Sequence, residues 1–214
     1  QKNGKFHYRA SGGIQMNKKI GLKDIVLITL LTAIMIGIQT VVLMPFITNL
    51  KFVIWFVGGI DGVLCGIIYC LMIAKAPKLG TAFIFSFIFA VYYFFVNSMI
   101  IISAMIAGAG LVMELILWNN GYKNKIKATI AYVLFGLTIM LAPNVLIFLQ
   151  KDAMIAGLQA NGLTQEYIDS IFAVYSAENI GIGMLLTAIG SIAGTQIGYR
   201  ALNRYFISGG MVEK

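Results

Sequence analysis

The sequence predicts an all-α, polytopic membrane protein: a compact bundle of six transmembrane helices with short amphipathic helices between helices five and six. Of its 214 residues, 59% are hydrophobic and 11% are charged, whereas soluble domains are roughly 45–50% apolar and about 25% charged. The apolar runs are continuous and do not alternate with polar residues, which favours helices over a β-barrel. An ordinary soluble domain and a disordered chain are both excluded.

Six apolar runs are each long enough to cross about 30 Å of hydrocarbon at 1.5 Å per residue. The predicted spans cover 25–47, 52–74, two helices within 79–118, 128–149 and 180–199. Asn97 and Ser98 are the polar break in the 40-residue run 79–118, so a very tight turn is predicted there. Pro45 marks the end of the first span, and Pro143 interrupts the fifth.

Two regions are predicted along the chain. Residues 1–22 form a basic cytoplasmic tail, and residues 23–214 form the six-helix transmembrane substrate-binding domain. Because Met16-Asn17-Lys18-Lys19 resembles a natural start, residues 1–15 are interpreted as an upstream extension or an expression remnant. No apolar segment with a cleavage site precedes residue 24, so no signal peptide is visible.

The positive charges predict the orientation in the cell membrane. With both termini in the cytoplasm, 14 Lys and Arg residues lie inside and two, Lys51 and Lys151, lie outside. Cytoplasmic loops carry the excess of positive charge in such proteins. The net charge of +8 is thereby explained by topology and a lipid bilayer, and no nucleic-acid partner is expected.

Small residues recur at four-residue spacing in three spans. Such stripes allow close helix packing in lipid. The second and sixth spans carry two glycine triplets, for which we predict packing inside the bundle: Gly58, Gly62 and Gly66, and Gly190, Gly194 and Gly198. The stripe of the first span, Thr29, Ala33 and Gly37, is open to two interpretations, internal packing or docking of a partner protein.

The segment 151–178 is predicted to form two short amphipathic helices at the outer end of the bundle. Thr164 is a suitable N-cap, and Glu166 follows at the positive end of the helix dipole. Apolar residues then recur at helical spacing from Tyr167 to Tyr175. The segment is interpreted either as a lid or as an interfacial helix resting on headgroups.

The motifs of several enzyme classes are missing. The chain has no GxxxxGK[ST], HExxH or GxSxG sequence, and its one histidine, His7, lies in the tail. Enzymatic activity, a cofactor and a metal site are therefore not expected. Cys65 and Cys70 are five residues apart on one predicted helix, so they are interpreted as buried packing thiols without a disulfide.

Two carboxylates lie within predicted spans, where ionisable groups are costly and suggest function. Asp61 lies near the middle of the second span, and it is open whether it is a proton or cation site or a structural acid. Glu114 lies near the inner end of the fourth span. A contact of Glu114 with cytoplasmic lysines or with a partner is expected.

The outer half of the bundle is richer in side chains that could bind a solute. Each aromatic residue there could belong to an interfacial belt, but their convergence beneath the amphipathic segment predicts a pocket for a small solute. The candidate substrate-binding residues are Trp55, Tyr93, Asn97, Asn144, Lys151, Tyr175, Glu178 and Asn179.

Three stretches carry a family resemblance over residues 17–212. They are the first span with its basic lead, the inner loop Ala74-Lys75-Ala76-Pro77-Lys78-Leu79-Gly80, and the region from Tyr132 to the C-terminus with Ala142-Pro143 and Gly162-Leu163-Thr164-Gln165-Glu166-Tyr167. In the order and spacing of these features the chain resembles the substrate-binding S components of energy-coupling factor (ECF) transporters, of the Trep_Strep type.

The resemblance implies a mechanism. Such a component captures a scarce micronutrient at the outer face, docks onto a transmembrane coupling protein with two ATP-binding subunits, and topples to release the solute inward. Ala33 and Gly37 match the docking stripe of the family, and Asn97, Asn144, Glu178 and Asn179 match its pocket only by region. The solute itself, whether a vitamin, a cofactor precursor or a haem-like compound, is not indicated.

Two other functions stay open at this point. One is a stand-alone ion- or proton-coupled carrier that uses Asp61. The other is a non-transporting membrane protein that assembles or regulates its partners.

Overall fold

A computed structural model describes residues 19–46, 48–97 and 99–207, and the secondary structure in these ranges is entirely helical. The helices are α1 (Leu22–Leu43), α2 (Leu50–Phe52), α3 (Gly58–Lys75), α4 (Thr81–Asn97), α5 (Ile100–Leu117), α6 (Lys125–Leu149), α7 (Lys151–Ala160), α8 (Gln165–Val174) and α9 (Ala177–Ala201). Short 3₁₀ turns follow α1 at Met44–Phe46 and precede α6 at Gly121–Lys123, and π-helical turns lie at Val53–Val57 and Leu202–Ile207.

The all-α membrane fold predicted from the sequence is confirmed. Five helical runs are long and apolar enough to cross a membrane, and α4 is a shorter apolar helix. The break predicted at residues 97 and 98 is also confirmed, because α4 ends at Asn97 and α5 begins at Ile100.

The second span is less regular than predicted. It runs from Leu50 to Lys75, but the π-helical turn Val53–Val57 separates α2 from α3. A π-helical turn widens the helix locally and is often found at functional sites. Here the turn occupies the end of the span at which a cavity forms, as described below.

The two glycine triplets take part in packing inside the bundle, as predicted, and they bring α3 against α9. A Cβ atom built on Gly66 would lie 2.7 Å from the carbonyl carbon of Gly194, and one built on Gly194 would lie 2.7 Å from the carbonyl oxygen of Val63. Such contacts are too short for any side chain, so α3 and α9 approach backbone to backbone. We call the contact of Gly62 and Gly66 with Gly190 and Gly194 the glycine seam.

Large aromatic side chains fill the core beside the seam. The rings of Tyr69 and Tyr132 stack with their centroids 4.6 Å apart, and Phe85 and Phe135 are 4.5 Å apart. Helix α1 joins this core through one face, on which Ile28 and other residues are buried. The aromatic cluster therefore holds α1, α3, α4 and α6 together.

The basic residues define one end of the bundle. Because successive spans are joined by short connections and run in opposite directions, the start of α1, the end of α3, the start of α6 and the end of α9 lie at the same end. We call this end, which carries Lys23, Lys75, Lys125 and Arg200, the basic end. The opposite end, with α7 and α8, we call the cavity end.

The two cysteines behave as predicted. Cys65 and Cys70 are both free and buried. Their thiols donate weak hydrogen bonds to backbone carbonyls, Cys65 to Met35 at 3.7 Å and Cys70 to Thr195 at 3.5 Å. They therefore act as packing residues between α3 and its neighbours.

The segment between the fifth and sixth spans forms the two short helices α7 and α8, as predicted. The Thr164 side chain caps α8 by accepting a hydrogen bond from the Tyr167 N–H at 3.4 Å. Helix α8 packs through Ile168, which is completely buried. Tyr167, which the spacing assigned to the same apolar face, is exposed instead.

Candidate ligand-binding cavity

A cavity of about 350 Å³ lies inside the bundle. Its walls come from α1, the π-helical turn with α3, α4, α6 and α9, and Tyr175 contributes from the connection between α8 and α9. Most of the lining is apolar or aromatic. This volume is near the lower limit for pockets that bind small organic ligands.

The cavity occupies the half of the bundle farther from the basic end. Leu43 at the end of α1 and Ile147 near the end of α6 line it close to the cavity end, while Cys65 and Ser191 line it near mid-span. The described lysines and arginines of the basic end do not line it. The cavity therefore reaches from one end of the bundle to about its middle.

Four polar side chains in the cavity wall carry buried oxygen atoms without a hydrogen-bond partner among the described residues. These atoms are Gln39 Oε1, Asp61 Oδ1, Asn144 Oδ1 and Ser191 Oγ. Buried polar groups in folded proteins are nearly always paired. Four unpaired oxygens around one cavity are thus an arrangement suited to a bound ligand or to water.

Two of these side chains are held in place through their other polar atom. The Gln39 amide nitrogen donates to the Tyr93 hydroxyl at 2.7 Å. The Asn144 amide nitrogen donates to the Met140 carbonyl at 2.6 Å, and Asn144 is only 7% exposed. Since each nitrogen is engaged within the protein, each amide oxygen is left for an interaction within the cavity.

Asp61 lies in the cavity wall beside the glycine seam. Among the described residues it makes no ion pair, and its Oδ1 atom has no hydrogen-bond partner. Asp61 was not among the substrate-binding residues predicted from the sequence. The structure brings it together with the predicted pocket.

Three of the predicted substrate-binding residues, Tyr93, Asn144 and Tyr175, line the cavity. Two others pair with each other next to it, because the Trp55 indole N–H donates to the Asn179 side-chain oxygen at 3.0 Å. The Asn179 nitrogen in turn donates to the Val174 carbonyl at 2.9 Å. This pair connects the π-helical turn to the end of α8 and the start of α9.

The remaining predicted binding residues do not line the cavity. Lys151 is exposed, and its ammonium lies over the Phe172 ring, 5.4 Å from the centroid. Glu178 is exposed in the first turn of α9. The side chain of Asn97 lies outside the described part of the structure.

Several cavity residues were missed by the sequence analysis. Gln39 and Ser191 each supply an unpaired oxygen, and Phe89 and Phe135 form an aromatic wall with ring centroids 5.2 Å apart. Gln39 was detectable as a polar residue in the apolar run 25–47. Ser191 was hidden among the small residues of a glycine-rich helix, where a packing role is the usual one.

Glu114 lies outside the cavity and is 9% exposed. It accepts hydrogen bonds from the Tyr122 hydroxyl at 2.6 Å and from the Phe83 N–H in the first turn of α4 at 3.0 Å. Burial and the hydrogen bond to Glu114 raise the pKa of the Tyr122 phenol, so its hydroxyl remains a donor. The expected lysine contact is wrong for the described residues: Glu114 makes no ion pair there, and it ties α4 and α5 to the turn before α6.

The small residues of α1 face away from the bundle. Thr29, Ala33 and Gly37 are all exposed, and a Cβ atom built on Gly37 would meet nothing within 4 Å. Of the two interpretations of this stripe, internal packing is therefore excluded for these three residues. We call this surface the α1 stripe.

Comparisons with known proteins give one result. A family model described as a hypothetical bacterial integral membrane protein (Trep_Strep) matches residues 22–207. No curated protein and no solved structure matches the chain.

Proposed function

We propose a solute-importing role for this chain, which belongs to the Trep_Strep family of hypothetical bacterial integral membrane proteins. In this proposal the chain is the substrate-binding S component of an ECF-type importer. It captures a small micronutrient at the outer face of the cell membrane and docks onto a transmembrane coupling protein with two ATP-binding subunits. The observation that carries the proposal is a cavity with unpaired polar atoms at one end of the bundle.

The charge distribution supports an outward orientation of the cavity. The described Lys and Arg residues are concentrated at the basic end, and the two exceptions are Lys51 and Lys151. Positively charged ends of membrane helices remain in the cytoplasm. The cavity end then faces outward, where a scarce solute would be captured, and both chain termini are cytoplasmic.

The α1 stripe supports docking of a membrane partner. Helices approach closely in lipid only where small residues let their backbones meet. The glycine seam satisfies that requirement inside the bundle, whereas the α1 stripe is exposed, and a Cβ atom on Gly37 would meet nothing within 4 Å in the described part of the chain. A helix of a coupling protein is the partner that we propose for it.

The energy source would belong to the partners. The sequence contains no GxxxxGK[ST] motif for ATP binding, and we propose no enzymatic activity for the chain itself. Import would then require separate ATP-binding subunits.

Co-purification tests this proposal. The tagged chain, expressed in its native host and extracted in mild detergent, should recover one integral membrane protein and two ATP-binding proteins. Ala33→Leu and Gly37→Leu should each lower that recovery several-fold, because a leucine on the α1 stripe blocks close approach of a second helix. Recovery is measured by quantitative mass spectrometry of the purified complex.

Helix α5 offers a matched control. Ala104 and Gly108 have the same residue types and the same spacing as Ala33 and Gly37; Ala104 is exposed, and a Cβ atom on Gly108 would meet nothing within 4 Å. Ala104→Leu and Gly108→Leu should leave recovery unchanged. If the α5 variants lose the partners and the α1 variants retain them, docking occurs on α5. If wild type recovers no ATP-binding protein, the importer proposal is wrong.

A second candidate function is a stand-alone carrier. It is favoured by the unpaired Asp61 carboxylate in the cavity wall, since intramembrane carboxylates often carry protons or cations. Purified chain in proteoliposomes discriminates the two functions. A carrier accumulates solute when a proton gradient is imposed, whereas an S component without its partners does not.

A further inference from the structure

We propose that the cavity takes a small organic cation, a flat nitrogen-containing molecule whose positive charge lies beside Asp61 and whose ring packs against the aromatic wall. This inference rests on the proposed function, because it names the class of solute that the importer would carry. The hydrogen-bonding character, the charge, the aromatic content and the size of the cavity all support this class of ligand.

The unpaired oxygens of Gln39, Asp61 and Asn144 are acceptors, and the Ser191 hydroxyl can donate or accept. The Met140 carbonyl can only accept a hydrogen bond, so the Asn144 amide must turn its nitrogen toward Met140 and its oxygen away. Asp61 likewise offers only lone pairs when ionised. Pro143 has no N–H, so the carbonyl of Ile139 in the cavity wall lacks its helical donor. A ligand that satisfies these atoms must itself be rich in N–H or O–H donors.

The charge of the cavity has one sign. Asp61 is the single acidic residue among the described lining residues, which include no Lys, Arg or His. The two cations of the cavity end lie over aromatic faces elsewhere, Lys51 over Trp55 at 4.7 Å and Lys151 over Phe172 at 5.4 Å. An anionic ligand would therefore face a carboxylate without a compensating cation, and a cationic ligand would be paired.

The aromatic wall favours the same class of ligand. Phe89, Tyr92, Tyr93 and Phe135 all line the cavity. Aromatic faces attract cations, and the attraction is stronger when the cation is desolvated. They also stack on flat rings. A conjugated organic cation would use both interactions at once.

The described side chains that could act as metal ligands are too few for a metal ion, which favours an organic cation. Among the described residues, no group of three or more His, Cys, Asp or Glu side chains comes together to hold a metal. The volume of about 350 Å³ suits a molecule of one or two rings, since pockets for drug-sized ligands range from about 300 to 1,000 Å³.

Three bicyclic probes of nearly the same shape test the proposal: 1-naphthamidinium, a cation at neutral pH that carries N–H donors; 1-naphthamide, which is neutral; and 1-naphthoate, an anion. Binding is measured by equilibrium dialysis against the purified chain in nanodiscs of zwitterionic lipid, and the signal of empty nanodiscs is subtracted. The cation should bind most tightly and the anion least. Asp61→Asn should weaken cation binding by about tenfold or more and leave naphthamide binding within about twofold.

Glu114→Gln is the matched control. It removes a second buried carboxyl charge, but Glu114 lies outside the cavity and the new amide oxygen can still accept from Tyr122 and Phe83. This variant should bind the three probes in the same order of affinity as the wild type. Any of four results would overturn the proposal. Naphthoate could bind most tightly, or the cation and the amide could bind equally. The cation preference could survive Asp61→Asn, or the cation could fail to bind.

This test is separate from that of the importer. Dialysis uses the isolated chain, so its outcome does not depend on any partner. A chain that prefers the cation but recovers no ATP-binding proteins keeps this inference and loses the importer role. A chain that recovers the partners but prefers the anion keeps the importer role and loses the cation.

Discussion

The two ends of the bundle hold an intramembrane carboxyl group in different ways. Toward the basic end, Glu114 Oε1 accepts hydrogen bonds from a tyrosine and from the backbone, and only Oε2 has no partner among the described residues. Toward the cavity end, Asp61 lies in the wall of a cavity with an unpaired oxygen. The hydrogen bonds of Glu114 stabilise the fold, whereas the unpaired oxygen of Asp61 stays available to a ligand. We infer that stability is concentrated toward the basic end and ligand recognition toward the cavity end.

The largest expected effect is a break in the glycine seam. Gly194→Leu places a side chain against Val63, whose carbonyl oxygen would be 2.7 Å from the new Cβ atom. The helices must separate, because backbone cannot yield as a flexible side chain does. We expect loss of monodisperse protein on size-exclusion chromatography.

Gly181→Leu is the control on the same helix. A Cβ atom there would meet nothing within 4 Å, so the variant should purify like the wild type. Normal folding of Gly194→Leu would contradict the account of the seam.

The second prediction compares substitutions of the two carboxyl residues, Glu114 and Asp61. Glu114→Leu leaves the Phe83 N–H and the Tyr122 hydroxyl without their acceptor, which costs roughly 2–4 kcal/mol. The melting temperature in detergent should then fall by roughly 5–10 °C. Asp61→Leu removes an unpaired polar atom from an apolar wall, so its melting temperature should equal or exceed that of the wild type.

These two melting temperatures decide whether the ends differ as proposed. A large loss of stability in Asp61→Leu would show that Asp61 is a structural acid. The comparison would also fail if Glu114→Leu were as stable as the wild type.

A smaller effect is expected at the rim of the cavity. Trp55→Phe removes the 3.0 Å hydrogen bond to Asn179 and should weaken the attachment of α8 by about 1 kcal/mol. Hydrogen exchange of residues 165–180 should accelerate about fivefold. Trp118→Phe, at a tryptophan that is 53% exposed, should not change that exchange. Equal protection in both variants would show that the Trp55 bond does not hold the rim.

The helical framework was largely predictable from the sequence, for a physical reason. In a bilayer every backbone group must be satisfied within its own helix, so apolar runs of sufficient length can only be spans. The polar pair at 97 and 98 predicted the turn between α4 and α5, and the glycine triplets predicted packing inside the bundle, where α3 meets α9. The π-helical turn at Val53–Val57 was not predictable, because the apolar sequence there suits an ordinary α-helix equally well.

The cavity was predictable only in part. Tyr93, Asn144 and Tyr175 were found because they are polar or aromatic near helix ends at one side of the bundle. Lys151 and Glu178 satisfied the same criterion, yet their side chains do not line the cavity. The position of a residue in the sequence fixes how deep it lies along a helix, but it does not fix the direction in which its side chain points around the helix axis. Asp61 was found as an unusual residue. Its place in the cavity depends on how α3 is rotated against α9, which the seam determines in three dimensions.

Cysteine labelling measures most directly whether the cavity end faces outward. Ser170 on α8 and Lys123 before α6 are both exposed and lie at opposite ends of the bundle. In intact cells a membrane-impermeant maleimide should label Ser170→Cys and should label Lys123→Cys only after permeabilisation, while the buried Cys65 and Cys70 stay unreactive. Labelling of Lys123→Cys but not Ser170→Cys in intact cells would contradict the account.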